Sequence, residues 1–165
     1  MASLRGSHPR FHTIFRLNLT CADVGIGERI PFMYETREMG RKHGFSLAQW
    51  QSGVHEAIAL LSERASREDP IPYSELAARL RTVTIDYHSQ AMDDLLVDVS
   101  TQEHETGRPL LSVMVVHKYG DQEPGNGFYT LAECLGFKFS DRQAFWIAEF
   151  NRVTEYWRRN YRGAS

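Results

Sequence analysis

Apolar side chains recur at spacings of three and four from residue 47 onward: Leu47, Trp50, Val54, Ile58, Leu61 and Ala65 share one face of a helical projection. Ser46 followed by Gln49 has the form of a capping box, and Pro70 disfavours helix at the residue before it, so a helix is predicted over 47–66. Upstream the period changes. Phe11, Phe15, Leu17 and Leu19 lie at even spacings, the pattern of a strand. The stretch that follows, "ADVGIGERIPFMYETREMGRKHG", mixes Gly, Pro and charge without a period and reads as an arm.

Downstream, "IPYSELAARL" predicts a short extended piece, an N-cap at Ser74 and a short helix turning Leu76, Ala77 and Leu80 inward. His88, Met92, Leu95 and Val99 then mark the apolar side of a third helix over 86–102. "RPLLSVMVVH" is nearly all apolar, which predicts a strand over 109–117 covered on both faces. "KYGDQEPGNG" is rich in turn residues, and "FYTLAECLG" reads as a second strand turning into a short helix. Ser140 with Gln143 repeats the capping box, and Trp146, Phe150, Val153 and Trp157 form the stripe of a long terminal helix over 140–160.

These elements give a helix-rich α+β domain: an N-terminal strand or arm over 1–44 and a globular unit over 45–165. Helix, extended piece, helix, helix, strand and turn-rich return is the order of a winged helix-turn-helix. "IPYSELAARL", followed by "GRPLLSVMVV", resembles the C-terminal winged-helix half of the alkyltransferase-like DNA repair family over roughly residues 47 to 131. Where that family carries Pro-Cys-His-Arg or Pro-Trp-His-Arg, this chain has Pro109-Leu110-Leu111-Ser112, and Cys134 lies too far downstream to serve instead. The resemblance therefore implies a fold and no alkyl transfer. The pattern "PLLSVMVV…PGNGFYTLA" is also similar to one in uncharacterised bacterial proteins, and it names no activity.

At 165 residues and 42% hydrophobic content, the chain suits one domain with a real core. A net charge of −2 gives no global pull towards nucleic acid, but the charge is segregated. Residues 82–107 hold Asp86, Asp93, Asp94, Asp98, Glu103 and Glu105 with no Lys or Arg, while both chain ends are basic. No apolar run is long enough for a membrane span, and the first residues lack the apolar centre of a secretory signal. Two cysteines, Cys21 and Cys134, make no disulfide framework and no CxxC pair, which fits a reducing, cytoplasmic setting.

Three groups of residues suggest chemistry. His88 and His117, with Asp94 and Glu103, have the types needed for acid–base work at neutral pH; the plainer reading is packed histidines and a solvated acidic face. Gly125, Asn126 and Gly127 suit an anion cradle ahead of a helix, but Phe128 and Tyr129 stand where a P-loop places Lys and Ser or Thr. The plainer reading there is a turn whose glycines supply positive φ. Arg152, Arg158, Arg159 and Arg162, beside Phe145, Trp146, Phe150, Tyr156 and Trp157, form the compact basic cluster where nucleic acid would bind. The acids of the third helix disfavour it as a groove reader. The reading is a non-catalytic binding or regulatory module for a nucleic-acid or protein partner, with dimerisation through the arm and terminal helix. No cofactor and no metal are expected. The alternatives are a small hydrolase or nuclease built on His88 and His117, and a purely structural dimerising subunit.

Overall fold

A two-residue turn starts the described chain, because His43 at φ 51° and Gly44 at φ 85° both take left-handed backbone and so let β1 (Arg41–Lys42) fold back on β2 (Phe45–Ser46). The structure, a computed structural model, describes residues 40–120 and 122–163. The strand expected at residues 11–19 and the arm before residue 40 lie outside them.

Ser46 ends β2 and caps α1 (Leu47–Ser66), its hydroxyl accepting the Gln49 N–H at 3.1 Å. The reciprocal half of the box is not made, since the Gln49 side chain donates to the Thr82 carbonyl instead. Trp50, Val54, Ala57, Leu61 and Ala65 of α1 are buried, whereas Leu47, expected on the stripe, is exposed. α1 is the central post, against which α3 (Gln90–Glu105), a 3-10 turn (Leu111–Met114) and α5 (Arg142–Asn160) all pack.

Between α1 and α3 run β3 (Ile71–Pro72) and α2 (Tyr73–Arg79). α2 starts from Pro72, not from Ser74, whose hydroxyl makes no cap. β3 pairs in parallel with β4 (Val115–Val116), Ile71 opposite Val115 and Pro72 opposite Val116. Parallel pairing needs a long crossover, here supplied by α2 and α3.

The predicted strand over 109–117 is therefore shortened: its first part winds as the 3-10 turn and only two residues ladder, all fully covered. Buried polar contacts explain the winding. The Leu110 N–H donates to the Glu149 carboxylate at 2.8 Å, and Ser112 exchanges hydrogen bonds with the Ser100 hydroxyl, so the backbone finds partners without a neighbouring strand. The second strand expected at Phe128 is also absent. α4 (Asn126–Cys134) occupies that stretch, burying Phe128, Tyr129, Leu131 and Ala132 on one side, and the described residues hold no returning wing strand. Cys134, in the last turn of α4, is disulfide-bonded.

α5 begins two residues later than predicted, with Asp141 and not Ser140 as its cap. Its aromatic stripe packs inward: Val153 is buried, and Phe145, Trp146, Phe150 and Trp157 are part-buried against the core. The fold is thus a helix-rich α+β domain. Among the described residues no helix is long and apolar enough to cross a membrane.

Candidate functional site

The register of β3 on β4 decides where the chemistry lies. One step beyond the paired residues, Tyr73 and His117 emerge side by side at the carboxyl end of both strands, with ring centroids 5.6 Å apart. In open sheets with parallel strands this end is where ligands are held, because the following loops diverge there. The His117 N–H donates to the Glu123 carbonyl at 3.0 Å, which folds the chain back on the end of β4. That fold returns the chain at Gly125, whose N–H donates to the Tyr73 hydroxyl at 3.1 Å.

An open cleft of about 490 Å³ lies at this end, lined by Tyr73, Tyr87, His88, Asp93, His117 and Lys118 together with the Gly125–Gly127 turn. His88 arrives from the opposite wall. The Asp86 carboxylate accepts the His88 N–H and its carbonyl accepts from Ser89, a local turn that stops the chain just ahead of α3. His88 is thus exposed in a turn, not on the apolar side of a helix as its spacing suggested, and its ring lies tilted against Tyr87 with centroids 4.0 Å apart.

The carboxylates expected to join the histidines are elsewhere. Asp94 meets His43 at 2.7 Å, and Glu103, fully buried, is held by both ends of the Arg108 guanidinium at 2.6 and 2.7 Å. Asp98 accepts from Lys42 and from the Trp50 indole. The acidic side of α3 is therefore not a solvated face; the β1–β2 hairpin covers much of it. One α3 acid, Asp93, faces the cleft. Burial, with the neighbouring Asp94 charge, raises its carboxyl above the ordinary range. Burial also raises the Tyr73 phenol, the Gly125 bond opposing and Asp93 reinforcing the shift. Tyr73, Tyr87 and Lys118 were not singled out from the sequence, and Asp93 was named only as one of the acids of the third helix. The one signal was position, since Tyr73 and Lys118 directly follow an extended apolar piece.

The glycine turn departs from its plainer reading too. Gly125 has φ −66° and Gly127 is not among the positive-φ residues. Gly125 is small for another reason: a Cβ there would stand 3.0 Å from the Tyr73 hydroxyl and 3.7 Å from the His117 Nε2. Asn126 and Gly127 open α4, so their N–H groups belong to a first turn that has no intrahelical acceptors. They line the cleft together with the cationic Lys118.

The basic cluster of α5 is largely engaged. Arg152 faces Glu149, Arg158 faces Glu68 across the fold, and Arg159 faces Glu155. Arg162 lies beyond the helix end, exposed. With the aromatic stripe turned into the core, this surface has acids beside its arginines and few rings to offer a base. Among the described residues no three His, Cys, Asp or Glu side chains converge at metal-ligand spacing. No family model, curated protein or solved structure matches the chain.

Proposed function

We propose that this protein is a binding module whose cleft at the carboxyl end of β3 and β4 takes a small ligand bearing an anionic group. The observation that carries the reading is the convergence of Lys118, His117 and the first turn of α4 on one open cleft. Backbone amides of a helix start, a helix dipole and an ammonium favour the same charge. The cleft falls in the usual size range of small-molecule sites. Asp93 on the same lining adds an acceptor for a hydrogen-bond donor of the ligand. Calorimetric titration of the full chain with inorganic phosphate and pyrophosphate is the test. Binding that weakens about tenfold in Lys118→Ala is expected, the effect of losing one charge-assisted contact. No heat with either anion, or equal affinity in the variant, refutes it.

A hydrolase reading is favoured by one observation, that His88 and His117 do share the cleft with a carboxyl of raised pKa. Turnover of phosphate or carboxylate esters by the wild type, lost in His88→Gln and His117→Gln, would establish it in place of simple binding.

A further inference from the structure

The rim of the cleft is built from rings, which a bare anion does not need. Tyr87 and His88 lie with ring centroids 4.0 Å apart on one wall, and Tyr73 and His117 with theirs 5.6 Å apart on the other, each pair tilted. Tyr119 is 80% exposed, with the Lys118 ammonium 5.5 Å above its ring. Tyr87 is also exposed, at 43%. Large rings left in solvent around a concave, charged site offer flat apolar faces to a flat partner. Asp93, on the same lining, is an acceptor that suits a ligand carrying hydroxyl or amino donors beside its anionic group. A separate recess of about 20 Å³, lined by Tyr73, Asp93, Ser112, Phe128 and Leu131, has room for about one water and no ligand part.

Resting on the anion-site reading above, we propose that the occupant is a nucleoside phosphate. Its base stacks on the rim rings, a ribose hydroxyl or exocyclic amine donates to Asp93, and its phosphate lies against Lys118 and the start of α4. Stacking on rings is tolerant of base identity, since every base has a π face. Both a purine and a pyrimidine nucleotide are therefore expected to bind.

The experiment titrates the full chain with ribose 5-phosphate, AMP, UMP and a 5′-phosphorylated single-stranded tetranucleotide. AMP and UMP are expected to bind about ten- to a hundredfold tighter than ribose 5-phosphate, the gain that base stacking contributes. Replacing both Tyr87 and Tyr119 by Ala should bring AMP down to the affinity of ribose 5-phosphate; both side chains are exposed, and a melting curve confirms the fold. If AMP and ribose 5-phosphate bind alike, the nucleoside assignment is wrong while the anion site stands. If none of the phosphates binds, the anion site itself falls. A tetranucleotide that binds much tighter than UMP identifies a strand end as the source of the nucleotide, and equal affinities identify the free nucleotide.

Discussion

The Tyr73 hydroxyl accepts the Gly125 N–H at 3.1 Å, and through that bond the start of α2 holds the start of α4 across 52 positions of sequence. The bond fixes the mouth of the cleft. Tyr73→Phe keeps the ring and removes the acceptor, leaving a half-buried N–H without a partner. The expected cost is about 1 kcal/mol of stability, within the usual net range for such a bond, seen in urea denaturation with an unchanged slope. Phosphate binding should weaken in the same variant. Unchanged stability would mean that the bond is not formed in solution.

Gly53, in the middle of α1, lies against Val83. A Cβ at this position would stand 2.7 Å from one Val83 methyl and 3.0 Å from the other. Two effects oppose each other in Gly53→Ala. The helix gains about 1 kcal/mol in propensity, while overpacking costs roughly 1–3 kcal/mol. Val83 is buried and β-branched, so it has little freedom to move aside. Net destabilisation is expected, and a rise in melting temperature would show that the connection before α3 yields easily.

The connection is held elsewhere by Glu56, whose carboxylate accepts the Arg81 and Thr82 N–H groups, each at 2.9 Å. Burial opposes the charge, but the Thr82 and Arg81 backbone bonds outweigh it and set the Glu56 carboxyl below its ordinary range. A group depressed in the folded state supports folding above its unfolded pKa and stops doing so as pH falls through the folded value. Glu56→Gln should therefore lower stability by about 1 kcal/mol at neutral pH, after allowing for solvent screening, and by less below pH 4. Melting curves of both proteins from pH 3 to 7 should converge at the acid end.

Glu103 is fully buried and its counter-charge comes from Arg108 alone among the contacts described above. Arg108→Ala strands a carboxylate in the core, where removing one partner of a buried pair costs about 3–5 kcal/mol. Adding Glu103→Gln to that variant should recover part of the loss. A loss no larger than 1 kcal/mol in equilibrium unfolding would place the pair effectively in solvent.

Helices were legible where the apolar spacing is long and regular: 47–66 is predicted and found. The strand over 109–117 was misread because "LLSVMVV" has no period to distinguish a ladder from a 3-10 turn, and its partners, Glu149 and Ser100, are polar groups distant in sequence. The same limit applies to the cleft. His88, His117 and the Gly125–Gly127 turn were named separately, but what joins them is the parallel register of Ile71 on Val115, for which two-residue strands leave no pattern. Asp94 looked as available as Asp93. One position of helix rotation and the hairpin ahead of α1 separate them, sending Asp94 to His43 and leaving Asp93 to the cleft.

The pairing of Ile71 with Val115 also has a kinetic side. Those two residues lie 44 positions apart, and bringing them together costs loop-closure entropy that the packing of the intervening elements offsets. Helices form locally and early, whereas a ladder that spans two of them has to wait. Tyr73 and His117 meet only when this closure is complete, so the cleft is expected to assemble late on the folding route. A partly folded chain would hold most of its helices without the Tyr73–His117 pair, which makes that pairing a stricter report of the native state than helix content.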